Sequence, residues 1–93
     1  MNNNSIQEVL TICNKLGLHA RAAAKFVSVS AEFSASIEVE KDSRRVNGKS
    51  IMGVMMLAAS QGSSITLYIA GEDADAAMEK LRTLVANRFG EAE

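Results

Sequence analysis

The chain is organised around residues 13–26, which read CNKLGLHARAAAKF. We predict that this stretch contains the end of a strand, a short loop with Gly17, and the first turns of a helix. His19 is the only histidine of the chain, and it stands where the loop becomes the helix. A helix start presents free backbone N–H groups and a partial positive charge. The stretch therefore predicts an anion site in which a neutral imidazole can act as a nucleophile.

Arg21 strengthens this hypothesis, because a cation in the first turn of a helix opposes the helix dipole. A sequence tuned only for stability would favour an acidic residue there, and local rules are often broken at functional sites. Lys15 would add to the local positive field. The residues alone leave an ordinary interpretation open, in which His19 is a cap or surface residue and Arg21 is a solvated surface cation.

Composition limits the class of protein. The 93 residues are 47% hydrophobic and 23% charged, with a net charge of −1, which indicates one globular domain over residues 1–93 and no nucleic-acid binding. A lone cysteine, Cys13, forms no internal disulfide and is expected to be a small core residue. No signal peptide is evident, and the nearly apolar run at 51–59 is about half of the ~18 residues that a membrane span needs. We expect a cytoplasmic protein without membrane insertion.

The hydrophobic periodicity predicts seven elements. Alternation of apolar and polar residues indicates strands at 6–13, 36–41, 45–47 and 64–70. Helical spacing indicates helices at 20–33, 51–59 and about 74–89. Residues 41–44 form a plausible tight turn. Because every strand has a polar face, the sheet should be antiparallel or mixed, with helices on one side only.

The helix predicted at 51–59 has two unusual features. Ser50 stands at its N-cap position, although Gly53 occupies the place where a capping box would need Glu or Gln. The helix itself is apolar on all sides, whereas a helix in a two-layer domain buries only one stripe. Some of its side chains must therefore face water or a partner, and methionines suit a surface that fits several partners in turn.

Two motifs together resemble the HPr family, the histidine-containing phosphocarrier proteins of the bacterial phosphotransferase system. They are GLHAR at residues 17–21 and VNGKSIMGVMML at residues 46–57. The resemblance extends over nearly the whole chain and implies an α+β fold, an open-faced β-sandwich. In that fold a four-stranded antiparallel sheet carries three helices on one face, in the order β-α-β-β-α-β-α. The family commonly has proline where this chain has Ala22, which leaves the rigidity of the junction between loop and helix open.

The resemblance implies a carrier with a transient phosphohistidine rather than a stand-alone enzyme. His19 would accept a phosphoryl group on Nδ1 from phosphorylated enzyme I, which takes it from phosphoenolpyruvate, and would pass it to enzyme IIA-type proteins. Arg21 would stabilise the phosphate. The path would belong to the sugar branch or to the nitrogen-related branch of the system. No metal and no cofactor are expected, and we expect a monomer.

A second set of implied residues concerns regulation and docking. In part of the family the serine that matches Ser50 is phosphorylated by HPr kinase/phosphorylase, which would place negative charge on a docking surface. The residues that we predict to contact partners are Leu18, Lys49, Ile51, Met52 and Met55. Arg21, Arg44, Arg45 and Lys49 would form a positive rim. The alternative function is a regulatory module that binds partners according to the state of Ser50, without onward phosphoryl transfer.

Overall fold

The computed structural model describes residues 5–93. Its strands are β1 (Ser5–Thr11), β2 (Ser36–Lys41), β3 (Arg44–Asn47) and β4 (Ser64–Ala70). Its helices are α1 (Ala20–Ser30), α2 (Ile51–Met56) and α3 (Ala74–Ala86), and a short 3-10 turn follows at Arg88–Gly90. The predicted order β-α-β-β-α-β-α is confirmed.

The four strands form one sheet in the order β1-β4-β2-β3, and every neighbouring pair is antiparallel. Inward-facing side chains of β2 and β4 are buried beneath the helices, and they are Ile37, Val39, Ile65, Leu67 and Ile69. The intervening residues are exposed or half-buried on the open face. The protein is thus the predicted α+β open-faced sandwich, and the mixed sheet is ruled out.

The hairpin between β2 and β3 is as tight as its sequence predicts. Lys41 pairs with Arg44, so only Asp42 and Ser43 lie in the loop. Both have positive φ, 52° and 68°. This is the backbone geometry of a type I′ turn, which matches the right-handed twist of the strands that it joins.

Several predicted elements extend too far along the chain. Helix α2 ends at Met56 instead of residue 59, because the chain turns away at Ala58, whose φ is +50°. Helix α3 ends at Ala86 because Arg88 and Phe89 also have positive φ. Periodicity alone does not detect such left-handed residues. Helix α1 likewise ends at Ser30 rather than residue 33.

Strand β1 ends at Thr11, and Cys13 lies beyond it. Its side chain is exposed, so the prediction of a core cysteine was wrong. The thiol donates a hydrogen bond to the carbonyl oxygen of Val85 at 3.3 Å, at the carboxyl end of α3. Within the described range, no helix is both long and apolar enough to cross a bilayer.

Candidate active site

The loop before α1 is held against the chain that follows α2. Gly17 has a φ of +70°, and a Cβ atom at this position would lie 2.3 Å from the carbonyl oxygen of Ala59. The next residue, Leu18, donates its backbone N–H to that same oxygen at 2.8 Å. Glycine is therefore required at position 17 for both the backbone angle and the close approach. This contact fixes the position of the loop from which His19 projects.

His19 is the N-cap residue of α1. Its backbone is extended (φ −76°, ψ −177°), and its carbonyl oxygen accepts the N–H of Ala23 at 2.8 Å. The N–H groups of Ala20, Arg21 and Ala22 precede this bond and have no carbonyl partner within the helix. No acidic residue lies in the first turn. The helix start thus keeps its positive potential beside the imidazole.

The side chain of His19 faces a cleft of about 770 Å³ between the start of α1 and the carboxyl-terminal segment. Three cations contribute to the lining, Lys15, Arg21 and Lys25. The cleft residues are Lys15, Leu16, His19, Ala20, Arg21, Lys25, Gly90, Glu91, Ala92 and Glu93. Among residues 5–93, the guanidinium of Arg21 has no hydrogen-bond or ion-pair partner, so its fork is available to an anion.

Glu91 is the main contact of the imidazole. Its Oε2 lies 2.7 Å from Nε2 of His19, and its Oε1 accepts a hydrogen bond from Nδ2 of Asn14 at 3.0 Å. The hydrogen bond from Asn14 foremost, then the one from His19 and the positive charge of Lys25, hold the pKa of the Glu91 carboxyl below its usual range. An ionised carboxylate only accepts hydrogen bonds, which assigns the proton to Nε2. Elsewhere in the described part of the chain, no group hydrogen-bonds to Nδ1.

The carboxyl-terminal segment that carries Glu91 is anchored on both sides of the cleft. Nζ of Lys25 donates to the carbonyl oxygen of Phe89 at 2.7 Å, and the Phe89 side chain is fully buried. On the other side, the backbone N–H of Lys15 donates to the carbonyl oxygen of Glu93 at 2.6 Å. The Lys15 ammonium also lies 3.4 Å from a carboxylate oxygen of Glu93. The segment is therefore held across the start of α1.

Sequence reasoning placed His19, Arg21 and Lys15 at this site, but it missed Asn14, Lys25 and Glu91. Asn14 is completely buried, and its Nδ2 also donates to the carbonyl oxygen of Gly17 at 2.9 Å. Glu91 is 72 residues from His19 in the chain. No local spacing links residues so far apart, so only the fold brings them together.

The predicted docking residues are only partly where they were expected. Helix α2 exposes Ile51, Met52 and Met55, at 43%, 71% and 38% of their surface. Leu18, however, is 4% exposed and belongs to the core, so its predicted part in a docking patch is incorrect. The bond from Leu18 N–H to Ala59 turns this residue inward, and it is Leu16, 67% exposed, that faces solvent at the cleft.

The start of α2 shows the predicted cap. Oγ of Ser50 accepts the backbone N–H of Gly53 at 3.1 Å, which confirms Ser50 as the N-cap residue. Lys49 is half-buried, and its Nζ donates to the carbonyl oxygen of Phe33 at 2.7 Å. This ammonium ties the loop between α1 and β2 to the residue before the N-cap of α2. Arg44 and Arg45 of the predicted rim are likewise bonded, to the Met56 carbonyl oxygen and to the Glu38 carboxylate.

Comparisons with known proteins identify relatives of this chain. The family model described as "PTS HPr component phosphorylation site" matches residues 6–87. The phosphocarrier protein HPr of Cupriavidus necator is 51% identical over 88 residues, which are 95% of this chain and 99% of that protein. A crystal structure of HPr-C-His from Thermoanaerobacter tengcongensis superposes with a TM-score of 0.91 at 45% identity, covering 95% of this chain and 99% of that one.

A second crystal structure from the same organism is that of an HPr dimer. It matches with a TM-score of 0.75 at 49% identity and covers 88% of this chain and 94% of that one. The family match extends over most of the chain, and the similarity to curated relatives covers nearly their whole length. This chain belongs to the HPr family of the phosphotransferase system.

Proposed function

We propose that this protein is a phosphocarrier of the phosphotransferase system and that it carries the phosphoryl group on Nδ1 of His19. One observation carries the proposal most directly. Nε2 is bound to Glu91, whereas Nδ1 is free within residues 5–93 and belongs to a residue that caps the positive end of α1. A phosphoryl group on Nδ1 would lie near unpaired backbone N–H groups and the unpaired guanidinium of Arg21. The site therefore has a nucleophile and an anion cradle in one place.

The donor is phosphorylated enzyme I, supplied by phosphoenolpyruvate, and the acceptors are enzyme IIA-type proteins. The exposed side chains of Ile51, Met52 and Met55 support docking of such partners, because exposed apolar clusters mark interaction surfaces. Transfer between proteins also requires a reachable nucleophile, and the His19 side chain is 30% exposed. Such a carrier works in the cytoplasm as a monomer, in the sugar branch or in the nitrogen-related branch.

The test is a two-step transfer assay. The protein is incubated with phosphoenolpyruvate and purified cognate enzyme I, and then with candidate IIA-type proteins. We expect one acid-labile phosphoryl group per chain, absent from His19→Ala, which then moves to a IIA-type protein. If the folded wild-type protein gains no phosphoryl group, the carrier function is refuted. The identity of the IIA-type acceptor assigns the branch.

Ser50 supports a regulatory addition to this function. Its hydroxyl oxygen caps α2 directly before Ile51 and Met52, both of which are exposed. A phosphate placed there by HPr kinase/phosphorylase would bring negative charge to the proposed docking face. Incubation with that kinase and ATP tests the addition, because phosphorylation should be acid-stable and absent from Ser50→Ala. The alternative, a regulatory module without transfer, would require Ser50 phosphorylation and no phosphoryl group on His19.

A further inference from the structure

We propose that Glu91 is a positioning residue for His19, which holds the imidazole in the Nε2–H tautomer and stabilises the positive charge that the ring gains during phosphoryl transfer. The inference rests on the proposed role of His19 as acceptor. It adds a residue from the carboxyl-terminal segment, beyond residues 6–87 that match the family model.

The hydrogen bonds form a chain of three side chains, those of Asn14, Glu91 and His19. Asn14 donates to Oε1 of Glu91 at 3.0 Å, and Oε2 of Glu91 lies 2.7 Å from Nε2 of His19. The Glu91 side chain is 13% exposed, which limits competition from water. Asn14 is fully buried and also donates to the carbonyl oxygen of Gly17, so the carboxylate is oriented by a rigid group. A histidine whose second nitrogen donates to an oriented carboxylate has a fixed tautomer and ring orientation.

The tautomer decides which nitrogen can react. With the proton on Nε2, the lone pair of Nδ1 lies in the ring plane and is free to attack phosphorus. A bond forms between Nδ1 and phosphorus, the bond between phosphorus and the donor atom of enzyme I breaks, and the donor atom keeps that electron pair. The His19 ring is neutral before transfer and becomes positive once Nδ1 is bonded to phosphorus. The His19 proton stays on Nε2, where the Glu91 carboxylate stabilises the new charge.

The test compares two single substitutions that remove the same charge from the same cleft. Glu91→Gln keeps the shape of the side chain, but its amide can either accept from Nε2–H or donate to a bare Nε2, so it no longer selects one tautomer. Glu93→Gln is the matched control, because the Glu93 carboxylate lies beside Lys15 instead of His19. Two readouts are made on each folded protein: nitrogen-15 NMR of the His19 ring, and kcat/KM for phosphorylation by phosphorylated enzyme I.

We expect the wild-type ring and the Glu93→Gln ring to show the Nε2–H tautomer, and the Glu91→Gln ring to shift toward Nδ1–H. The Glu91→Gln variant should lose about 10- to 100-fold in kcat/KM, the range found for carboxylates that orient metal-binding histidines in the same way. An unchanged tautomer, an unchanged kcat/KM, or an equal loss in both variants would overturn the positioning role. Absence of phosphorylation in the wild-type protein would instead refute the carrier function, and the NMR readout would still test the pairing by itself.

Discussion

Nε2 of His19 lies 2.7 Å from Oε2 of Glu91, although the two residues are 72 positions apart in the chain. The contact joins the start of α1, which the sequence marks as a candidate site, to a carboxyl-terminal segment in which the sequence shows no functional signal. It also gives the two ring nitrogens different roles, because Nε2 is hydrogen-bonded to Glu91 and Nδ1 is open to a reaction partner.

Gly17 should be the most sensitive position of the loop. Gly17→Ala combines a left-handed backbone angle with a clash of 2.3 Å against Ala59. Gly62→Ala is the control, because Gly62 also has positive φ (+89°) but has no atom within 4 Å of the added Cβ. We expect Gly62→Ala to lose about 1–2 kcal/mol of unfolding free energy and Gly17→Ala about 1–3 kcal/mol more, measured by urea denaturation. Equal losses would show that the contact with Ala59 is unimportant.

Arg21→Gln should weaken transfer without lowering the stability of the fold, because a cation in the first turn of a helix is itself unfavourable. The Arg21 side chain is exposed and is unpaired in the described part of the chain, so Arg21→Gln removes no intramolecular bond. It does remove a charge-assisted contact to phosphate, worth about 10- to 100-fold in kcat/KM with phosphorylated enzyme I. Arg21→Lys keeps the charge without the bidentate fork, so its kcat/KM should lie between the values for the wild type and Arg21→Gln. Wild-type kinetics in Arg21→Gln would exclude a role in phosphate binding.

Ser50 can be tested with two substitutions that separate its cap from its charge. Ser50→Ala loses the acceptor for Gly53 N–H and should lower the unfolding free energy by about 1 kcal/mol, with no effect on His19 phosphorylation. Ser50→Asp retains a good capping side chain and adds a negative charge. We expect Ser50→Asp to have wild-type stability and to bind acidic partner surfaces about tenfold more weakly. Binding that is unaffected in Ser50→Asp would argue against regulation at this site.

The exposed face of α2 should contact enzyme I. Met52 is 71% exposed, so Met52→Glu should fold normally but raise KM for phosphorylated enzyme I several-fold. Val9→Glu is the control, since Val9 is similarly exposed, at 63%, on the open face of the sheet. A KM that rises equally in both variants would indicate a general effect of charge rather than docking through α2.

Stability should fall in acid, in part through Asp73. Its carboxylate accepts the backbone N–H groups of Ser34 and Ala35, each at 2.9 Å, and the Ser34 hydroxyl at 3.3 Å. These bonds, the one from Ser34 N–H foremost, hold the pKa of Asp73 below its ordinary 3.8. Because the folded-state pKa is the lower one, this contribution is complete above the unfolded pKa and is lost as pH falls through the folded pKa. The unfolding temperature should therefore fall less steeply in Asp73→Asn than in the wild type as the pH drops below the ordinary pKa of Asp. Parallel plots of unfolding temperature against pH would contradict this assignment.

The sequence predicted most of the fold because its signals are local. Alternation along β2 and β4 and the turn at Asp42 and Ser43 need only neighbouring residues. Neighbouring residues do not predict the left-handed backbone angles at Ala58 and Phe89, because neither residue type favours them. The ends of α2 and α3 were therefore misplaced. At the site, His19 and Arg21 are recognisable from their place at a helix start.

The remaining differences arise from tertiary contacts. Leu18 lies between Gly17 and His19 and was predicted to contact partners, but its backbone N–H is bonded to Ala59 and its side chain is buried in the core. Glu91 is one of two acidic residues in the stretch 80–93, and nothing in the sequence distinguishes it from Glu93. Its pairing with His19 depends on how α3 and the 3-10 turn return the chain to the start of α1.

The most direct test of the account is to locate the phosphoryl group by phosphorus-31 and nitrogen-15 NMR of the protein phosphorylated through enzyme I. We expect a single phosphoramidate bond to Nδ1 of His19, with the proton retained on Nε2 beside Glu91. A phosphoryl group on Nε2, or on any residue other than His19, would contradict it.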